Sequence, residues 1–191
     1  MQVVAINGSP RKNGNTAQLL QTVCAKLNTQ GVETETIQLG TEPLRGCVDC
    51  GVCKKEKNSR CVYDDDPLNT IVAQMNAADG ILLGSPTYFS NVTTNMKSLM
   101  DRAGRVSRVS GFTLRRKVGA PVVAMRRAGG THVFSSINYF FLISQMIVPG
   151  SSYWNLACGL QEGDVMKDAE GVKTMELLGE NMAWLLKKLR D

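Results

Sequence analysis

Four thiols fall within fifteen residues: Cys47, Cys50 and Cys53 at C-x2-C-x2-C spacing, then Cys61 after a gap of seven residues. The close triplet is a spacing by which one loop can wrap three thiolates around a cubic four-iron four-sulfur cluster, with Cys61 returning as the fourth ligand. Structural zinc more often uses two separated C-x2-C pairs, a pattern this segment lacks. Three chemistries stay open on spacing alone, in falling order of expectation: a four-iron cluster, free or redox-active thiols, and zinc. Disulfide stapling is disfavoured, because it would spread the cysteines along the chain and belongs to an oxidising compartment. Cys24, on an apolar helix face, and Cys158 are expected to be buried small hydrophobes.

A second chemical segment runs Asn7-Gly8-Ser9-Pro10-Arg11-Lys12-Asn13-Gly14-Asn15-Thr16. Small residues let backbone N–H groups close on an anion, and a helix starting near Thr16 offers unpaired N–H groups and a partial positive charge. Ser9, Asn13, Asn15 and Thr16 can add hydrogen bonds, and Arg11 can neutralise part of a dianion. The segment is neither G-x-x-x-x-G-K-[ST] nor G-x-G-x-x-G, so nucleotide hydrolysis and a tightly bound dinucleotide are both disfavoured. The acid that would grip an adenosine ribose is also missing after the next strand, which ends in Leu39-Gly40. A mononucleotide such as FMN fits better.

Two further loops follow apolar runs. Gly84-Ser85 leads into Pro86-Thr87-Tyr88-Phe89-Ser90-Asn91. Here Tyr88 and Phe89 offer contact to a flat ring, while Thr87, Ser90 and Asn91 could hydrogen-bond the pyrimidine edge of an isoalloxazine. Then comes Arg126-Arg127-Ala128-Gly129-Gly130-Thr131. The glycines permit close backbone approach, and Arg127 could stabilise the negative charge of a reduced flavin. His132, the only histidine, is read as a local structural residue.

These loops need a scaffold that brings them to one rim. Residues 3–6, 34–39 and 80–83 read as strands, 118–125 as a fourth whose Pro121 places its start at or just after that residue, and 146–148 as a short fifth. Between them lie helical patterns carried by Leu20, Cys24 and Leu27, by Ile71, Met75 and Ala78, and by Met96, Leu99, Met100 and Ala103. Residues 134–144 and 174–189 complete the set. Such alternation implies an α/β fold with a doubly wound parallel sheet, because parallel strands need right-handed crossovers that carry helices to its faces. In a flavodoxin-like five-stranded sheet of order 2-1-3-4-5, ligands bind where the first and third strands diverge, and the first two loops follow those strands. The cysteines then sit in an insertion, residues 40–67, after the second strand of a single domain spanning 1–191.

The first two loops, followed by Lys97 and Asp101-Arg102, resemble the NADPH-dependent FMN reductase superfamily, and with Cys47, Cys50, Cys53 and Cys61 the chain is similar to its iron-sulfur flavoprotein branch. The likeness runs over nearly the whole length. It implies a flavodoxin-like fold, bound FMN, and a homodimer or homotetramer with the flavin near a subunit boundary. By it Ser9, Arg11, Asn15 and Thr16 match the phosphate loop, and residues 86–91 the isoalloxazine loop. The sequence departs from the branch in its long last cysteine gap and in carrying Arg126-Arg127 where relatives are richer in glycine.

The expected activity is transfer of electrons from NAD(P)H, as a transient substrate, or from a small reduced iron-sulfur protein through FMN to a small acceptor, with a cluster as an optional station. No catalytic side chain is named, since the cofactor carries the chemistry. The rival within the same class is a cluster-free NAD(P)H:FMN or quinone reductase, and the distant alternative is a zinc-stabilised binding module. The net charge of +5 suits anionic cofactors or an acidic donor protein. Nucleic acid is not expected as a partner, because Tyr63, Tyr88 and Phe89 are not interleaved with basic residues. No run approaches the roughly 18 apolar residues that span a bilayer, and the first residues lack secretory features, so a cytoplasmic protein with no membrane partner is expected.

Overall fold

The computed structural model describes residues 1–190. Strands β1 (Gln2–Asn7), β2 (Glu33–Gln38), β3 (Gly80–Pro86), β4 (Val118–Met125) and β5 (Leu156–Cys158) form one sheet in the order β2-β1-β3-β4-β5. Every neighbouring pair is parallel. The interior strands β1, β3 and β4 are apolar almost throughout, as strands covered on both faces must be. Successive side chains alternate between the two layers. Val4 and Ile6 join the core built with α3 (Leu68–Ala77), α4 (Thr94–Val109) and α5 (Gly130–Ile143). Val3 and Ala5 join the core built with α1 (Asn15–Thr29) and α6 (Ala169–Lys188). Cys24 is buried in that second core, and burial pushes its thiol up to about 11, which fits an inert packing residue.

Three parts of the sheet side differ from the sequence expectation. Residues 146–148 do not make the fifth strand; Ile147 forms only an isolated bridge to Val118. Pro149-Gly150 then carries the chain off the sheet, and it returns at Leu156–Cys158 to pair with Val123, Ala124 and Met125. Pro121 lies inside β4 instead of at its start. Gly119 N–H and Val123 N–H donate on the β5 side, to Ile147 C=O at 2.9 Å and Asn155 C=O at 3.0 Å. Between those two bonds the proline's missing donor falls in the gap where no strand pairs, and its carbonyl accepts Asn155 Nδ2 at 3.1 Å.

The helices also exceed the apolar periodicity at their starts. Helix α5 opens at Gly130 with a polar first turn that carries no period, and α6 opens at Ala169, where the Asp168 carboxylate caps Gly171 N–H at 3.0 Å. A short helix α2 (Val52–Glu56) lies within the cysteine segment. Cys158 is exposed at the end of β5, not buried, because a strand end on the rim has no layer above it. No helix among the described residues is long and apolar enough to cross a membrane.

Packing of α1 on β3 depends on one missing side chain. A Cβ at Gly84 would lie 2.6 Å from Leu20 Cδ1 and 3.0 Å from Thr16 Cγ2. Gly84→Ala is therefore expected to lower stability by about 1–3 kcal/mol as α1 is pushed outward. An unchanged urea midpoint would contradict this contact.

Candidate functional site

The β1 and β3 ends are tied together before their chains part. Gly8 N–H donates to Gly84 C=O at 2.7 Å, and a Cβ on Gly8 would meet that same oxygen at 2.9 Å. Only glycine allows this approach. Thr93, the cap of α4, closes the junction: its hydroxyl donates to Gly8 C=O at 2.7 Å, and its N–H donates to Ser85 Oγ at 3.2 Å. The loop after β1 is shaped by its own side chains. Asn7 Oδ1 accepts Ser9 N–H at 3.0 Å, Ser9 Oγ accepts Arg11 N–H at 3.1 Å, and Gln38 on β2 accepts from Asn7 Nδ2 and donates to Ser9 C=O, both at 2.6 Å.

This loop ends at Gly14, which caps α1 without a side-chain hydrogen bond. The first-turn N–H groups of α1 thus face outward without a protein acceptor, the arrangement that receives an anion. Ser9 keeps its hydroxyl proton free to donate, and the hydroxyl of buried Thr16 has no partner among the described residues. Arg11, Lys12 and Asn13 are exposed around it. The residues fit a phosphate. Asn15 plays another part than expected: its side chain donates to Gln161 C=O and accepts Gly163 N–H, each at 2.9 Å, so only its backbone remains for an anion.

The second loop is a tight hairpin. Tyr88 and Asn91 exchange both backbone hydrogen bonds at 2.9 Å, with Phe89 (φ 48°) and Ser90 (φ 60°) at the turn. Two consecutive positive φ angles define the type I′ geometry, which favours Gly and Asn. A phenylalanine held there, 106% exposed, is strained and unpartnered, a combination that marks ligand-binding loops. Pro86 ends β3, and Thr87 continues its pairing, with N–H and hydroxyl both directed at Ala124 C=O, at 2.9 and 3.3 Å. The third loop abuts the second: a Cβ at Gly129 (φ 81°) would fall 2.5 Å from Ser90 Oγ. Gly130 is buried at the start of α5, whereas Arg126, Arg127 and Ala128 are exposed, and neither arginine has an ion pair among the described residues. Loops one to three are thus brought to one rim, as the topology requires.

The cysteine segment folds beside α4. Cys47, Cys50, Cys53 and Cys61 all line one cavity, together with Tyr63, Arg102 and Arg105. Left-handed residues at Asp49, Gly51, Lys57 and Ser59 wind the chain around it. No three His, Cys, Asp or Glu side chains among the described residues meet as ligands of a single metal ion.

Several residues fix this segment in roles the sequence reading did not assign, Arg102 of the Asp101-Arg102 motif among them. Buried Asn69 accepts Cys61 N–H at 2.8 Å and donates to Cys61 C=O at 2.9 Å and to Asp64 Oδ1 at 2.9 Å. Asn95 on α4 accepts Leu44 N–H at 3.2 Å and donates to Glu42 C=O at 2.9 Å. Arg102 forms a buried ion pair with Asp66 and donates to Arg45 C=O at 3.2 Å and Tyr63 C=O at 3.1 Å. Arg105 pairs with Asp49 at 2.9 Å. The asparagines leave no periodic trace in sequence. Arg102 does, standing three residues after Leu99 and four before Val106 within an apolar stripe.

Comparison with known proteins agrees with this geometry. Residues 1–161 match the family described as NADPH-dependent FMN reductase. An iron-sulfur flavoprotein of Methanocaldococcus jannaschii is 39% identical over 197 residues, covering all of both chains. One of Methanosarcina thermophila is 32% identical with the same full coverage. Among solved structures, RosB superimposes with a TM-score of 0.74 at 16% identity, over all of this chain and 80% of that one. The flavodoxin, WrbA-like protein of Agrobacterium tumefaciens does so at 0.65 and 15%, over 98% and 97%. Those two likenesses concern the fold. The chain belongs to the NADPH-dependent FMN reductase family and is a flavin-dependent oxidoreductase.

Proposed function

We propose that this chain moves electrons from NAD(P)H, or from a small reduced iron-sulfur protein, to a small acceptor, using FMN on the three-loop rim and a four-iron four-sulfur cluster in the cysteine cavity. The observation that carries the proposal is the convergence of all four cysteines on one cavity braced by the helix that also closes the flavin rim. FMN supplies hydride acceptance and single-electron steps, and a cluster supplies storage of one electron.

The chain's own residues bind and orient. The α1 N-terminus with Ser9, Arg11 and Thr16 would hold the phosphate, and residues 86–91 with 127–130 would frame the ring. Cys47, Cys50, Cys53 and Cys61 would each hold one iron. Thr93 at the rim and Arg102 at the cavity stand nine residues apart on α4, an axial rise of about 13 Å, which sets the two sites near one another across a single rigid element. The full-length match to two iron-sulfur flavoproteins supports the cluster.

Chain purified without oxygen is expected to carry about four iron and four sulfide per FMN. Cys53→Ala and Cys61→Ala should lose the iron and keep the flavin. A yellow wild-type chain free of iron would instead favour the cluster-free FMN or quinone reductase. For the phosphate loop, Arg11→Ala should weaken FMN binding about tenfold, the loss of one charge-assisted contact, while leaving riboflavin affinity unchanged. An equal loss for both ligands would place Arg11 away from the phosphate.

A further inference from the structure

Arg102 is the only charged residue among those described whose side chain lies wholly inside the protein, with 1% of it exposed. Taking a guanidinium out of water is costly unless its donors are satisfied. Three of its four terminal N–H groups meet polypeptide oxygens. Nη1 pairs with the Asp66 carboxylate, itself 5% exposed, and donates to Arg45 C=O at 3.2 Å, while Nη2 donates to Tyr63 C=O at 3.1 Å. These contacts fix the guanidinium plane, because all of its N–H groups lie in one rigid fork.

The Nε donor differs from these. Nε is buried and has no hydrogen-bond partner. The same side chain lines the cavity shared by the four cysteines, close to Cys61. An arginine held on three sides, with Nε–H buried and unpaired in a cavity lined by four thiols, is placed to meet a sulfur acceptor there.

Resting on the cluster reading above, we propose that Arg102 Nε–H donates a charge-assisted hydrogen bond to a cluster sulfur, either Cys61 Sγ or the adjoining inorganic sulfide, and thereby raises the cluster's reduction potential. Reduction adds one electron to the cluster and leaves its sulfurs more negative, so a fixed donor binds the reduced form more strongly than the oxidised one. No proton moves, because the guanidinium stays protonated throughout. The Asp66 carboxylate offsets part of the charge but holds the opposite edge of the fork, leaving Nε aimed by geometry. Arg102 is in this sense a positioning and tuning residue; it makes and breaks no bond.

The decisive variant is Arg102→Lys, which keeps a cation for Asp66 and removes the Nε donor. After anaerobic reconstitution it should hold iron, sulfide and FMN at wild-type levels, with a cluster potential lower by at least a tenfold change in the one-electron equilibrium, about 59 mV. The FMN potential, read in the same titration, should not move. A fully loaded variant with an unshifted cluster potential overturns the proposal. A second measurement avoids mutation: with 15N-labelled arginine in the wild-type chain, electron–nuclear double resonance of the dithionite-reduced cluster should reveal a coupled arginine nitrogen, and its absence also overturns the proposal. A wild-type chain that binds no iron under these conditions overturns the cluster reading itself, and this inference with it; an iron-loaded chain that fails either test overturns this inference alone.

Discussion

One backbone hydrogen bond, from Gly8 N–H to Gly84 C=O at 2.7 Å, holds the ends of the two central strands together at the point where their chains leave for opposite faces of the sheet. The helix after β1 packs on one face and the helix after β3 on the other. A crevice at their divergence follows from topology alone. Residue types then shape it: glycine at 8 lets the backbones touch, glycine at 84 makes room for Leu20 and Thr16 of α1, and Thr93 locks the junction.

The same constraint reaches the cysteines through α4. Thr93 begins the helix at the crevice, Asn95 grips the entry of the cysteine segment, Arg102 holds its interior, and Arg105 pairs with Asp49 at its surface. The three-loop rim and the cysteine cavity therefore share one brace. Surface ion pairs such as Arg45 with Asp65 contribute little to this order. The buried pair of Arg102 with Asp66 matters more, because removing either partner would leave an uncompensated charge inside the protein. Its presence at such cost beside four thiols is what gives the cysteine cavity its chemical character.

Much of this was legible in the sequence. Apolar runs alternating with helical periods point to the parallel sheet; the first Gly-Ser-Pro segment falls after β1 as expected, whereas the second forms the last three residues of β3, which runs on from 83 to Pro86. What was not legible depends on contacts between distant residues. The apolar run at 146–148 has strand character, yet Pro149-Gly150 diverts it, and the three-residue β5 is too short to carry a period. Pro121 is tolerated inside β4 because its missing donor falls between the Gly119 and Val123 bonds, where no strand pairs, and Asn155 serves its carbonyl across that gap. Asn69 and Asn95 act through backbone groups many positions away, so no local pattern announces them. Asn15 has the right type and place for a phosphate donor, but residues 161–163 return to engage its side chain first.

On the proposed function, one chain holds a flavin and an iron-sulfur cluster beside a common helix. Anaerobic reduction with measured additions of dithionite, followed by visible absorbance, tests it most directly. Uptake of about three electrons per chain is predicted, two into the flavin and one into a cluster with its own broad absorbance. An end point at about two electrons, with only flavin bands bleaching, would contradict it.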